Sequence, residues 1–387
     1  MKILIIGGDG YLGWPTAMFL AKKKYQVFLT DNFSKRKIES ENGIKPLQPI
    51  ETLSNRVYTW NNLGKKKGYG KIRLISGDIL NQRFLNKLLK NVKPDHIIHY
   101  GEQPSAPYSM MGREQAVYSQ YNNIIGSLNL LFGVKGICPK SHIIKLGSMG
   151  IYGTPNIDIE EGYLKLKHKG RFDKVLFPMK PHSFYHLSKA ADSLNLDFVC
   201  RVWGLKATDL HQGVVYGVNT KETIMNNNLV TSFHYDHIFG TVLNRFMVQA
   251  VCGSPLTIYG SGNQKRTFLN INDTLKCIEL AIKKPAKYGE YKVRNQFTEV
   301  FDINELAQLV EVSAKELGIK VKIKKIKNPR TELSKHYYKP SNKSFLEIGL
   351  KPVYLNKKFI KETILYIQKY KVNIDKKILD PKIKWKN

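Results

Sequence analysis

Long apolar runs are the first thing this chain lacks. None of its hydrophobic segments approaches the roughly 20 residues that a membrane-spanning helix needs, and the opening MKILIIGGDGYLG reaches glycine too early for a signal peptide. A membrane or secreted protein is therefore not expected, and the cytoplasm is. Cysteine is scarce as well. Cys138, Cys200, Cys252 and Cys277 stand far apart, with no Cys-x-x-Cys pair and no Cys/His group at metal-ligand spacing. That excludes a disulfide scaffold, predicts reduced and mostly buried thiols, and gives no metal site. Acidic residues are few, 31 against 62 lysines and arginines, which leaves a formal charge of +31 on 387 residues.

A chain this basic can bind nucleic acid, an anionic membrane surface or small polyanions. The spread of the lysines decides between them. They come as short pieces, KKK at 22–24, KKK at 65–67 and KIKKIK at 322–327, without an RNP-type or helix-turn-helix pattern. A solvated lysine-rich surface is expected, with no nucleic acid and no membrane as partner. A field of this sign still draws in an anionic nucleotide or oxyanion substrate.

What is present is a globular composition, 42% hydrophobic, with regular alternation in the first half. Strand-like runs KILIIG (2–7), QVFLT (26–30), IRLIS (72–76), HIIHY (96–100) and HIIKLG (142–147) are separated by helical periodicity near 12–23, 81–90 and 114–134. A further helix through 184–202 and a strand near 206–211 continue the series. Buried β-branched runs divided by helices predict an α/β protein built on a Rossmann-type, doubly wound parallel sheet. The segment 33–70 is too long for a plain link and reads as an insertion over one edge of the site. Residues 1–213 are expected to form the dinucleotide domain. Residues 214–387 should form mainly a smaller, interleaved C-terminal substrate-binding lobe, with pieces near 238–252 and 271–297 returning to the first domain.

The first strand runs straight into GGDGYLG, placing Gly7, Gly10 and Gly13 at a strand-to-helix turn. Glycines there permit a tight turn, a close backbone approach to a pyrophosphate, and close packing of the helix on the strand. Asp31 ends the second strand, eighteen residues after Gly13. A carboxylate at that place suits the ribose hydroxyls of NAD and repels the extra phosphate of NADP. Lys35 and Arg36 leave a small opening for NADP. Asp78 and Ile79, after the third strand, would lie near the adenine.

At the other end, Tyr185 and Lys189 stand four apart in SFYHLSK, and Ser148 follows the HIIKLG strand. With the glycine spacing, this set resembles the extended short-chain dehydrogenase/reductase family. The resemblance implies that Lys189 binds the nicotinamide ribose and lowers the pKa of Tyr185. Tyr185 would take the proton from a substrate hydroxyl, and Ser148 would complete the hydrogen bonding. Free tyrosine, with a pKa near 10, needs such a neighbouring cation to serve as a base. The same resemblance places Asp9, Tyr11, Leu12, Asn32, Tyr100, Gly101, Gln103, Asn122 and Val214 around the cofactor.

Several longer stretches narrow the resemblance to the UDP-sulfoquinovose synthase family. They are GEQPSAPYSM (101–110), GSMGIYGTPNIDIEEGY (147–163), FYHLSK (184–189), TDLHQGVVYGV (208–218), NRF (244–246), NQFTE (295–299), NPR (328–330) and HYY (336–338). This implies a cycle in which UDP-glucose and sulfite become UDP-sulfoquinovose and water, with NAD regenerated in each turnover. It assigns Asn244, Arg245, Thr257, Tyr259, Gln264, Arg266 and Arg330 to the uridine and diphosphate. Tyr108, Met149 and Gln212 fall on the hexose side. It also implies a homodimer and leaves open a partner protein that donates the sulfite. Dehydratases of the wider family carry an Asp-Glu pair where this chain has Met149 and Gly150, so elimination of water needs another group. His186 is the nearest titratable candidate, as base, as sulfite ligand, or as a structural histidine only. Ser105, Gln103 and Glu102 are further candidates.

Pro104 replaces an arginine common in that narrower family and removes a candidate anion contact. Ile151 replaces a glutamate, and Ser148 a threonine. A UDP-hexose 4-epimerase or divergent 4,6-dehydratase is the alternative enzyme. A nucleic-acid-binding relative that has lost its chemistry is the alternative from another class.

Overall fold

The computed structural model describes residues 1–331, 333 and 336–385. Seven parallel strands lie in the order Tyr291–Gln296, Lys206–Gln212, His142–Ser148, His96–His99, Lys2–Ile6, Gln26–Thr30 and Ile72–Leu74. The chain winds one way from Lys2–Ile6 and then returns to its other side. That reversal opens a crevice at the carboxyl ends of the strands, where ligands of such sheets bind.

The central strands bury both faces. Ile3 and Ile5 point into one cluster with Trp14, Leu20 and Ile278, whereas Leu4 and Ile6 point into another with Leu85, Leu130 and Leu196. The two-residue alternation of a strand thus feeds helices on both sides. A second core gathers Phe246 of helix Val242–Cys252, Leu306 of helix Ile303–Lys315 and Ile364 of helix Lys357–Lys369 around Ile258 and Phe268. The 238–252 segment, expected to return to the first domain, packs instead in this second core, because its apolar face meets these late helices. Helix Ile271–Lys283 does pack on the sheet core through Cys277 and Ile278.

The insertion is helical. Ser34–Glu41 and Leu53–Lys67 flank the proline-bearing link, and Leu53, Val57 and Trp60 pack on the sheet side. The helix expected at 114–134 widens into a π-helical turn at Tyr121–Ile125, which re-aims Asn122 and Asn123. A hairpin, Tyr163–His168 with Arg171–Leu176, was not anticipated. Its tip, Lys169 and Gly170, takes positive φ at both positions, as a tight two-residue turn requires. Cys200 and Cys277 are buried, Cys138 and Cys252 half-buried, and all four are free thiols. No helix among the described residues is long and apolar enough to cross a membrane.

The glycine turn is the tightest packing point of the sheet edge. A β-carbon on Gly13 would lie 2.0 Å from the Gly7 carbonyl oxygen, and one on Gly7 (φ 87°) 2.7 Å from the Tyr100 carbonyl carbon. Gly13→Ala should therefore lose about 1–3 kcal/mol of stability in urea denaturation. Gly136→Ala, with nothing within 4 Å of the added carbon, should be neutral or slightly stabilising.

Candidate active site

The crevice has a volume of ≈ 480 Å³ and is lined by the glycine loop at one end and by Ser148, Met149, Gly150, Tyr185 and His186 at the other. At the loop, a β-carbon on Gly10 would meet only the Gly7 oxygen, at 3.4 Å, so the backbone is open to a pyrophosphate over the start of helix Gly13–Lys22. Asp9, Tyr11, Leu12, Asn32, Lys35, Ile79, Tyr100, Gly101, Asn122 and Val214 also line it.

Asp31 is held by two amides. Asp9 N–H donates to Oδ2 at 2.8 Å and Phe33 N–H to Oδ1 at 2.7 Å, with Phe33 in the left-handed region. Burial raises its pKa, and both amides pull against that rise. Arg36 is committed elsewhere. Its Nε donates to Asp9 Oδ2 at 2.6 Å and its Nη2 to Asp9 Oδ1 at 3.0 Å, and buried Arg56 pairs with the same carboxylate. Lys35 pairs with Glu39 and lies 2.7 Å from His234 Nε2. Neither cation is arranged as a clamp for a 2′-phosphate. The residues therefore fit NAD, and the opening left for NADP closes.

Tyr185 and Lys189 begin helix Phe184–Trp203, which Ser183 caps by accepting from the His186 amide at 3.2 Å. Ser148 Oγ accepts from Gly150 N–H at 3.1 Å. Lys189 does not line the crevice. It lies beneath its floor, donating to the Leu146 carbonyl and paired with Glu102 Oε2 at 2.6 Å. Glu102 also pairs with Lys145, whose Nζ is 3.0 Å from Asp192 Oδ2. Burial and the Glu102 charge hold the Tyr185 phenol above its ordinary pKa, while Lys145 pulls the other way. The lowered tyrosine pKa implied by resemblance is thus not the resting state here. Burial is the larger of the two effects that raise it, and the Glu102 charge adds to it.

The His186 imidazole reaches across to the Ser148 turn. A β-carbon on Gly150 would lie 2.2 Å from His186 Nε2, so the absent side chain is what admits the ring. Its Nδ1 lies 2.9 Å from Ser183 Oγ, and its ring centroid 4.9 Å from that of Tyr185. Burial, together with the positive charges of Arg330, Arg266, His182 and Lys189, pulls its pKa down to about 3. The ring is neutral at ordinary pH.

A second cavity of ≈ 320 Å³ shares Pro104, Val214, Arg266 and Arg330 with the first and holds Asn244, Arg245, Tyr259 and Gln264. Arg245 donates to the Tyr259 hydroxyl at 2.8 Å and to the Thr257 carbonyl at 3.1 Å. Gln212 lines the first cavity, its amide on Gln296 at 2.8 Å.

Some expected residues stand back from both cavities. Tyr108 packs with Ile38, Ile44, Ile238 and Tyr118. Thr257 faces Gln249, and Gln103 braces the amide of Ser105. Asp78 accepts from Asn32 at 3.0 Å at the crevice rim. Ile151 is fully buried beside Tyr152 and Phe177, which makes that departure a matter of core packing. Pro104 does line both cavities.

Sequence reasoning passed over Lys145, Asp192, Arg56, His182, His336 and Thr241. Lys145 carried a signal, a lysine in the middle of the apolar run HIIKLG. The others are brought in only by folding.

The profile of the NAD dependent epimerase/dehydratase family matches residues 3–295. The chain is 47% identical over 385 residues to the chloroplastic UDP-sulfoquinovose synthase of Spinacia oleracea, covering 100% of this chain and 79% of that one. Against the UDP-sulfoquinovose synthase of Sulfolobus acidocaldarius it is 39% identical over 389 residues, covering 100% and 98%. The chain belongs to the UDP-sulfoquinovose synthase family. Like the wider family, it is an NAD-dependent enzyme. A UDP-glucose 4-epimerase of Thermotoga maritima, solved with UDP-glucose, shares the fold at 19% identity and a TM-score of 0.68, covering 95% of this chain and 99% of that one.

Asp31 lines the crevice at the end of the glycine turn, and we propose it as the partner of the adenosine ribose: Asp31→Asn should weaken NAD binding about tenfold, the scale of one charge-assisted hydrogen bond. With Arg36 still held by Asp9, NADP binding should gain little. Fluorescence titration of both nucleotides checks this.

Proposed function

We propose that this synthase-family chain joins UDP-glucose to sulfite, giving UDP-sulfoquinovose and water. The observation that carries the reading is the placement of His186 Nε2 against Gly150, one of the two positions where the resemblance puts the carboxylates of dehydratases. NAD, which the glycine turn and Asp31 would hold, would supply a reversible hydride acceptor for C4. The rest falls to this chain. Tyr185 accepts the proton of the C4 hydroxyl, and the Ser148 hydroxyl hydrogen-bonds the same oxygen.

The C4 ketone acidifies the C5 proton. Neutral His186 takes that proton and hands it to the departing C6 hydroxyl, which leaves as water. One imidazole thus replaces two carboxylates. Sulfite then adds through its sulfur lone pair to C6 of the enone, and C5 regains a proton that comes in with hydrogensulfite or from water. Arg266 and Arg330 supply positive charge to the diphosphate and to the incoming anion, which suits a wall that has lost an arginine at Pro104. Asn244, Arg245, Tyr259 and Gln264 hold the uridine end.

We assign the pairing of two chains to the helices around Arg113–Gln120 and Phe184–Trp203. Leu187, Leu194, Phe198 and Val202 form an exposed stripe beside Val117 and Tyr121. The reaction is placed in the cytoplasm, with UDP-glucose and sulfite as small-molecule partners and no nucleic acid.

Incubating the protein with NAD, UDP-glucose and sulfite should give the sulfonated nucleotide sugar by mass spectrometry. Sulfite-independent formation of UDP-galactose would instead identify a 4-epimerase. A product that forms only at unphysiologically high free sulfite would point to a donor protein. Tyr185→Phe should lose about a thousandfold in NAD reduction by UDP-glucose while still binding NAD. His186→Ala should keep that reduction and lose sulfonation; full turnover in this variant would move elimination to the Glu102–Tyr108 loop.

A further inference from the structure

At the floor of the crevice, which Glu102 itself lines, lies a charged cluster that the steps above do not use. Glu102, on the loop after strand His96–His99, sits between two lysines, Lys145 of strand His142–Ser148 and Lys189 of helix Phe184–Trp203. Asp192, one turn along that helix, takes the other side of Lys145 at 3.0 Å. All four side chains are at most 3% exposed. Water screens them far less than it would surface charges, so each acts strongly on its neighbours.

The surroundings are polar on every side. His99 Nε2 lies 3.7 Å from Glu102 Oε1 and 3.2 Å from Ser127 Oγ, and Ser127 donates to Asp192 at 3.0 Å. From strand Lys206–Gln212, Asp209 adds negative charge toward Lys145 and is itself paired with His211 at 3.1 Å. His186 lies against Tyr185 on the crevice side. Burial opposes the charge on Glu102, but Lys145 and Lys189 outweigh it and hold its carboxyl below the usual range. Burial pulls Lys189 down, Glu102 pulls it up, and Lys145 adds to the fall.

We propose that Glu102, clamped by Lys145, is a positioning residue for Lys189 and through it sets how readily the Tyr185/Lys189 pair gives up a proton. Two observations carry this. The bonds to Glu102 and to the Leu146 carbonyl fix the Lys189 ammonium at one point. The same carboxylate is shared with a second cation that has no route to the crevice, so Lys145 decides how much negative charge is left to act on Lys189. The Lys189 ammonium lies 5.7 Å from the centre of the Tyr185 ring, and an anion beside the two makes loss of a proton from either one harder. A cation makes it easier. The inference rests on the reading of Tyr185 as the base.

The signs are opposite for the two partners, which a purely structural role would not produce. In the NAD-bound protein, Glu102→Gln should move the midpoint of proton loss down by about one pH unit or more, a tenfold change in ionised fraction. Asp192→Asn should move it the same way by less. Lys145→Met should move it up, and the double variant of Glu102→Gln with Lys145→Met should return toward the parent value. Two readouts are needed. One is the pH profile of NADH formation on mixing with UDP-glucose without sulfite. The other is the tyrosinate ultraviolet band, taken as the difference between each protein and its Tyr185→Phe counterpart, which needs no substrate. Absence of NADH in the parent protein would count against the proposed function, and the tyrosinate titration would still decide this inference. Shifts of one sign in all variants, or an unchanged midpoint in those that fold, overturn it.

Discussion

The buried contact between Glu102 and its two lysines is the constraint around which the reactive end is built. Three elements meet there, the loop after the fourth strand to form, the next strand, and the helix that carries Tyr185. Removing that many charges from water costs several kcal/mol per ion, and the cost is recovered only if each has its partner in place. The loop, strand and helix are therefore held in one mutual arrangement, and the Tyr185 hydroxyl, Ser148 and the His186 ring inherit it. An all-apolar floor would pack as well and would leave the lysine under the nicotinamide end without a fixed position.

A similar economy operates at the nucleotide end. Asp9 accepts from Arg36 and from buried Arg56 while its own amide donates to Asp31. One carboxylate thus joins the glycine turn to both helices of the insertion. Ser34 and Lys35 of the insertion line the crevice, and Asp9 engages both arginines, which would otherwise be free to meet a phosphorylated ribose. Cofactor choice and the packing of an added segment are the same set of bonds.

The neutral state of His186 follows from its surroundings. It is enclosed, and the cations nearby serve anions, so a second positive charge on the ring is disfavoured. The protonated ring is disfavoured for the same reasons, so any proton it accepts is passed on rather than held. Gly150 is the complement to this. In a chain with a side chain at that position, the histidine could not stand where it does.

Much of this was legible in the order of residues. Parallel strands, the glycine turn, Asp31, and the Ser148, Tyr185, Lys189 set depend on local spacing and on short-range backbone rules, and a linear reading captures both. Tyr108 and Thr257 read as ligand contacts and turned inward, because the direction of a side chain on a short helix or a strand is set by what packs behind it. The helix Val242–Cys252 likewise chose its core from late helices distant in sequence. The composition determined a basic, thiol-poor chain, the alternation of its apolar runs an α/β fold, and its motifs an NAD-linked redox pair. Only the tertiary structure decided what surrounds that pair. Glu102, Lys145 and Asp192 lie 43 and 47 residues apart along the chain, and charges so separated act on one another only when folding removes the water between them.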